Sequence, residues 1–452
     1  MSNDTLLRMA SKPNPHLLNG LSVEWDPHIF RSFNTETDNR GVAFDPATDW
    51  ALVERRVARM GLQRARVWMQ PEWFRPAYDR WDFSPDNVEL YSLIRHLELA
   101  EKLGIRINLT MWCAQSTGWL GDPTSKDWCS APNDPEMYAE ITCRAVQELL
   151  VNRGFTCIRE LTLFNEPSWA FLHNVDQVSF ADYAKLVRVT HRRLQELGLR
   201  NRLMLIVSDD AEHTEWYRQS VTELSSIADG YASHTYAYGP DTPDEVIEDW
   251  VTERHRISEE HGDGKPFIVD EFGTNRVIPP MTATDTYTYE RGLFLAKFLI
   301  DALNCGASGA SYWCLYDENY SLNNRMEVGL WGFADENYAP RPTYYAWGML
   351  NTYTTRRSRI IPLSAEGEGV SGVALEAPNG DRVFILLNQT GEPQPFRLET
   401  PLKITRWQRA LYSRDTLPND DTLPPMSLPV ETDGTTEGVL PAESFAIYRT
   451  CG

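Results

Sequence analysis

Along about the first 350 residues, short apolar runs alternate with segments of helical periodicity, and that alternation leaves few architectures open. The runs are LSVEW (21–25), RARVWM (64–69), IRINLTMW (105–112), IRELTLFN (158–165), RLMLIVS (202–208), GYASHTY (230–236), PFIVDEF (266–272) and GASYWCLY (309–316). Between them, residues 87–104 place apolar side chains at 88, 90, 93, 94, 97, 99 and 103 and then Gly104, one helix face followed by a stop. The segments 180–198, 242–262 and 289–306 repeat the scheme, and RPTYYAWGMLNTY (341–353) supplies a last helix.

Strand candidates that each precede a helix describe parallel βαβ units. Eight of them predict an α/β fold, a (β/α)8 TIM barrel, with an open doubly wound sheet as the alternative. No run is followed by a GxGxxG or GxxxxGKS loop, which weakens the nucleotide-binding option that goes with the open sheet. Beyond residue 354 the pattern changes. GVSGVALEAPNGDRVFILLNQT (369–390) reads as strand, NGD turn and strand, and three further alternating runs follow between Pro-, Asp- and Thr-rich turns. The chain therefore divides into a barrel, 1–354, and a C-terminal antiparallel β-sandwich domain, 355–452. The N-terminal tail is a candidate to precede or share that domain's first strand, and residues 411–434 read as a long surface loop.

A net charge of −21 opposes contact with a phosphate backbone, so no nucleic-acid partner is expected. No window approaches the roughly 18 apolar residues of a membrane span, so no membrane partner is expected either. The N-terminus, MSNDTLLRMASKPNPHLL, lacks a basic stretch followed by an apolar core, which argues against a signal peptide. The seven cysteines show no CxxC spacing and fit reduced thiols, so a cytoplasmic location is expected. Oligomeric state is left open, including a homo-oligomer. Fifteen Trp and nineteen Tyr are many, and beyond their part in a core they suit flat apolar faces such as sugar rings.

In such a barrel the C-terminal ends of the strands line the site. Those ends carry Trp25 with Asp26, Arg66 with Trp68, Trp112, Asn165 with Glu166, Asp209 with Asp210, His234 with Tyr236, Glu271, and Trp313. Glu166 and Glu271, on the fourth and seventh strands, are expected to face each other across the mouth. Two opposed carboxylates among aromatic platforms are what glycoside hydrolysis requires: one protonates the leaving oxygen while the other attacks the anomeric carbon, about 5–5.5 Å away for retention. Each residue also has an ordinary reading: Glu166 as a helix cap, Glu271 as a strand-end residue bonded to a loop, His234 in the core, Arg66 in an ion pair, Trp112 and Trp313 as barrel filling. Their joint arrival at the correct strand ends favours a site. SDDAEH (208–213) gathers carboxylates and a histidine, but no His-x-His on the first strand accompanies it. A solvated loop or sugar contacts are expected there, with no metal and no other cofactor.

FNEPSW (164–169), SHTYAYG (233–239), PFIVDEFG (266–273) and GASYWCLYDE (309–318) resemble the strand 4, 6, 7 and 8 motifs of clan A glycoside hydrolases. The resemblance implies retention by double displacement, with Glu166 as acid/base and Glu271 as nucleophile. It implies that Asn165 bonds the sugar 2-hydroxyl, that Tyr236 and Arg66 hold Glu271 ionised, that His234 lines the site near the acid/base, and that Trp313 floors the sugar ring. The set is most similar to family 5, to its intracellular β-mannosidase-like branches. Trp112 stands where that family commonly has a histidine, and with the C-terminal domain this leaves family 39 as second choice. Two inserts, 113–135 with Trp119 and Trp128, and 316–333 with Tyr320 and Trp331, are expected to wall a pocket for one terminal sugar. Trp25, Trp112 and Trp119 are substrate-binding candidates. The expected activity is that of a retaining exo-β-glycosidase on a disaccharide or short oligosaccharide, with β-mannosidase first and β-glucosidase, β-xylosidase, α-L-arabinofuranosidase or β-galactosidase as rivals. From another class, a non-catalytic carbohydrate-binding barrel would not need a matched pair of glutamates.

Overall fold

In the computed structural model the eight apolar runs are eight parallel strands; the residues described are 4–115, 117–123, 130–172, 180–274, 277–278, 282–283, 285–322, 324–401, 404–432 and 436–450. After a first strand, β1 (Thr5–Met9), come β2 (Gly20–Val23), β3 (Arg64–Met69), β4 (Arg106–Met111), β5 (Ile158–Thr162), β6 (Met204–Ala211), β7 (Gly230–Thr235) and β8 (Phe267–Phe272). A hairpin of β9 (Val277–Ile278) and β10 (Thr282–Ala283) leads to the last barrel strand, β11 (Gly309–Tyr312). A second hairpin, β12 (Glu318–Ser321) and β13 (Asn324–Met326), follows it. The barrel order is β2-β11-β8-β7-β6-β5-β4-β3. It closes between β2 and β3 on a single bridge, Glu24 to Arg66, where the Trp25 amide donates to the Arg66 carbonyl at 2.8 Å.

Strand period decides what faces the barrel interior. In β3, Ala65, Val67 and Met69 belong to the hydrophobic core under the helices. Arg64, Arg66 and Trp68 turn the other way. Arg64 reaches Glu160 on β5 at 2.7 Å and Asp270 on β8 at 2.5 Å, so an ion triad fills the lower barrel above a small apolar cluster of Ile206, Ala232 and Ile268. Both carboxylates keep the Arg64 guanidinium charged, against the pull of burial.

Three strands break the period: β5 skips Arg159 in its ladder with β4, low in the barrel, and the breaks in β8 and β6 serve the mouth. The β7–β8 ladder pairs Ser233 with Val269 and then His234 with Glu271, skipping Asp270. This bulge lets two successive residues reach inside: Asp270 to Arg64 below and Glu271 to Arg66 above. The β6–β7 ladder skips Asp209 in the same way, with Ser208 and Asp209 at φ 75° and 49°.

The second sheet comprises β14 (Arg359–Glu366), β15 (Ser371–Glu376), β16 (Arg382–Asn388), β17 (Gln394–Glu399), β18 (Arg406–Tyr412), β19 (Val430–Glu431), β20 (Glu437–Leu440) and β21 (Ser444–Thr450). Its order is β19-β18-β21-β16-β15-β14-β1-β17-β20. Thr5–Met9, within the stretch assigned to the barrel, is thus a strand of this sheet, antiparallel to β14 and parallel to β17. The sheet is mixed on account of that one parallel pair. It curls over its own core, so that Phe396 of β17 and Tyr448 of β21 come within 5.6 Å despite four strands between them. Its other face continues the barrel core: the Tyr412 ring stacks on Tyr289 at 4.9 Å. The segment after β18 is no free loop, because Asp421 pairs with Arg55 at 2.9 Å and Tyr353 donates to the Pro424 carbonyl. Among the described residues no helix is long and apolar enough to cross a membrane.

Candidate active site

β5 ends at Thr162, and four residues later Glu166 adopts φ 44°, a left-handed backbone that turns its side chain into the mouth before the helix Pro167–Leu172 begins. Glu166 Oε1 lies 3.0 Å from His234 Nδ1, and the same nitrogen lies 3.3 Å from Glu271 Oε2. One carboxylate oxygen of each glutamate and this nitrogen lie within 4.8 Å of one another. Glu166 and Glu271 are therefore neighbours across the mouth, with one oxygen of each no more than 4.8 Å apart.

Their surroundings differ. Glu271 is 3% exposed and fully engaged: Oε1 accepts from Arg66 Nη1 at 2.7 Å and Oε2 from the Tyr236 hydroxyl at 2.7 Å. Glu166 keeps a side chain 15% open to solvent. Arg66, fully buried at the centre, also donates from Nη1 to Glu24 and from Nη2 to Asn165 Oδ1 and Asp209, each at 2.7 Å. With Oδ1 so committed, the amide NH2 is the end of Asn165 with donors to offer.

Burial opposes charge throughout this group. It pushes the Glu271 carboxyl up to about 7, with Glu166 adding to the rise, although His234, Arg66 and Tyr236 pull the other way. The resemblance implied that Arg66 and Tyr236 hold Glu271 ionised; both favour the ionised form, but desolvation outweighs them. Burial likewise raises Glu24 well above the usual carboxylate range. For His234 burial favours the neutral ring, yet Glu271 and Asp209 outweigh it and hold the imidazole protonated. Its Nε2 then donates to Asp209 Oδ1 at 3.0 Å and its Nδ1 to Glu166. Glu166, His234 and Glu271 form a group with the spacing of metal ligands. A protonated imidazole offers no lone pair, however, and the Arg66 guanidinium occupies Glu271.

Trp313 and Met326 pack with Trp112, Tyr236 and Tyr320 in one cluster at the mouth, with the Trp112 and Trp313 rings 6.1 Å apart. The β12–β13 hairpin of the second insert thus walls the site. Two predicted residues lie elsewhere. Trp25 is fully buried, its indole N–H donating to Tyr316 and its ring stacked on Trp50. The period explains this: Glu24 faces Arg66 inside, so Trp25 faces the helices, and Asp26 turns in again to accept from Trp68 and Tyr320. Trp119 donates to the Arg75 carbonyl at 3.2 Å and lines a separate cleft. Trp128 falls outside the described residues.

The site also includes residues the motif reading did not select. Glu24, the one acid inside LSVEW, carries the only signal that could have marked it: a charge at an inward position of an apolar run. SDDAEH resolves into four separate tasks. Asp209 holds Arg66 and His234; Asp210 accepts from Ser208 and the His213 amide; His213 Nδ1 caps the next helix at Trp216 N. Glu212 Oε1 accepts from Thr235 Oγ1, Tyr236 N and Ala237 N at 2.7–3.0 Å, clamping the turn that carries Tyr236.

No family model and no curated protein matches the chain. Solved structures do. The catalytic domain of the GH30 xylanase C from Talaromyces cellulolyticus superposes with a TM-score of 0.70 at 15% identity, covering 99% of this chain and 100% of that one. The GH30 subfamily 8 xylanase Xyn30A from Clostridium acetobutylicum gives 0.68 at 14% identity, covering 100% of both. The GH51 arabinofuranosidase from Xanthomonas axonopodis pv. citri gives 0.66 at 13%, covering 99% and 100%. The likeness is one of fold, and it spans barrel and β domain together.

Proposed function

We propose that this protein is a retaining exo-β-glycosidase of the clan A type, acting on the terminal sugar of a disaccharide or short oligosaccharide. The observation that carries the reading is the asymmetric pair: Glu271 buried against Arg66 and Tyr236, and Glu166, within reach of it, partly open to solvent. In the first step Glu166 gives its proton to the glycosidic oxygen as the bond to the anomeric carbon breaks. Ionised Glu271 attacks that carbon and forms a glycosyl ester. In the second step Glu166 takes a proton from water, which attacks the same carbon and frees Glu271. His234 donates to Glu166 and steadies its carboxylate once the proton has left. Arg66 and Tyr236 keep one face of Glu271 committed and direct its attack. Asn165 offers its amide donors to a hydroxyl beside the reacting carbon, and Trp313 offers a ring face to the sugar.

The Met326 and Tyr320 wall favours one terminal sugar over a polymer in an open cleft. Within the clan, the motifs resemble family 5 while the similar folds are those of family 30 and 51 enzymes. β-Mannoside stands first among substrates to test, with β-xyloside and α-L-arabinofuranoside next because the similar structures carry those activities in their names. A cytoplasmic setting belongs to the same proposal: Cys143, Cys157, Cys305 and Cys314 are free thiols. Cell fractionation tests that part. The activity test is hydrolysis of an aryl-glycoside panel by wild type, Glu166→Ala and Glu271→Ala. The expected result is turnover of at least one glycoside by wild type, near-complete loss in Glu271→Ala, and recovery by azide of Glu166→Ala on an activated substrate. Near-normal turnover by Glu271→Ala, or no azide recovery, would overturn the assigned roles.

A further inference from the structure

On the same face of the barrel, behind the wall of the catalytic pocket, lies a cleft of about 620 Å³ formed by the loops after β3 and β4 and by the start of the helix Val88–Leu103. Trp73 and Trp68 separate it from the site: Trp73 lines the cleft and packs 5.4 Å from Trp68, whose far side packs 4.9 Å from Trp112. We propose that this cleft is a second carbohydrate-binding site, which holds a neutral oligosaccharide segment without contributing to bond cleavage.

Three observations point to that ligand class. First, the cleft carries an exposed aromatic face: Tyr78 is 66% exposed and stands edge-on to the half-buried Trp119 at 5.7 Å and 90°. Arg75 braces both rings, its guanidinium 5.5 Å from each centroid. Aromatic rings held open beside polar groups suit the apolar face of a pyranose. Second, the charges lining the cleft nearly cancel. Arg31 and Arg80 stand against Glu72, Asp82 and Glu89, and Arg31 pairs directly with Glu89 at 2.8 Å. An anion would meet a slight excess of carboxylates, so a neutral ligand fits better. Third, two lining residues hold buried polar atoms without a hydrogen-bond partner in the protein. One is a donor, Trp73 Nε1, and the other an acceptor, Glu89 Oε2. Buried groups of this kind need partners, and a sugar hydroxyl can accept from one and donate to another.

The site stands apart from the cleavage reading, and its test does not depend on turnover. Xylohexaose, mannohexaose and arabinohexaose are titrated calorimetrically into wild type, Glu271→Gln, Tyr78→Ala and Trp73→Phe. At least one hexasaccharide should bind wild type and Glu271→Gln alike, and Tyr78→Ala should weaken that binding about five- to tenfold through the lost ring face. Trp73→Phe keeps the ring but loses the N–H and should weaken it about threefold or more. Turnover of an aryl monoglycoside, where it is seen, should be unchanged by Tyr78→Ala, a surface substitution that leaves folding intact. The proposal is overturned if no hexasaccharide binds at millimolar concentration. It is equally overturned if Tyr78→Ala binds as wild type does, or if binding disappears in Glu271→Gln.

Discussion

Replacing Tyr236 by Phe removes one hydroxyl, 2.7 Å from Glu271 Oε2, and leaves the ring that packs with Trp313. That hydroxyl donates to the ionised form of Glu271, and hydrogen bonds to charged groups contribute about 1.5–3 kcal/mol. One pKa unit corresponds to about 1.4 kcal/mol, so the loss should raise Glu271 by about 1–2 units. Burial already holds this carboxyl up at about 7, against the pull of His234 and Arg66. The sign is unambiguous: a donor that favours the charged form is gone, and ionisation moves to higher pH. At pH 7 the ionised fraction would fall from about one half to about one tenth or one hundredth, lowering kcat/KM roughly five- to fiftyfold. At high pH, where Glu271 is ionised in both proteins, the difference should narrow. The assay is the acidic limb of kcat/KM against pH on the best aryl glycoside, which reports the free enzyme. Wild type should show a limb centred at about pH 7, and Tyr236→Phe one at about pH 8–9. A limb that stays in place, or moves to lower pH, would refute the view that this hydroxyl opposes the desolvation of Glu271.

Glu212→Ala removes the acceptor that clamps Thr235 Oγ1, Tyr236 N and Ala237 N, and should lower kcat/KM about tenfold. As Glu212 acts through Tyr236, its acidic limb should also move to higher pH; loss of thermal stability with an unmoved limb would show a structural role alone. Arg64→Met leaves Glu160 and Asp270 without their shared cation inside the barrel and should destabilise the fold by about 3–5 kcal/mol in urea unfolding. A change below about 1 kcal/mol would mean that Arg106 and Asn108, which also bond these carboxylates, compensate.

The barrel and the pair of glutamates at its mouth were legible because both rest on local pattern. An apolar run followed by an amphipathic segment can bury itself only as a βα unit, and eight such units place eight strand ends on one face. Glu166 and Glu271 emerged from that placement together with the motifs around them. Trp25 was misplaced because a strand end presents one residue to the mouth and the next to the helices, and the phase of β2 shows only once Glu24 meets Arg66. Trp119 was misplaced because a long loop carries no period at all, and its ring settled on Arg75 and Tyr78.

Other features depended on partners far apart in the chain. The N-terminal tail was a candidate to precede or share the second domain's first strand, and Thr5–Met9 does pair there; its exact place, between strands more than 350 residues away, only the tertiary structure decided. In VDEF, strict alternation would send only one of Asp270 and Glu271 inward; the bulge against β7 admits both, one to Arg64 and one to Arg66. The sequence by itself determined the strand–helix rhythm, the fold class and the two glutamates, because these follow from side-chain period and residue type. Tertiary structure alone decided the phase of each strand, the shared Arg66 hub, and the protonation of Glu271 and His234. Those depend on burial and on charges brought together from distant strands, which no local window contains.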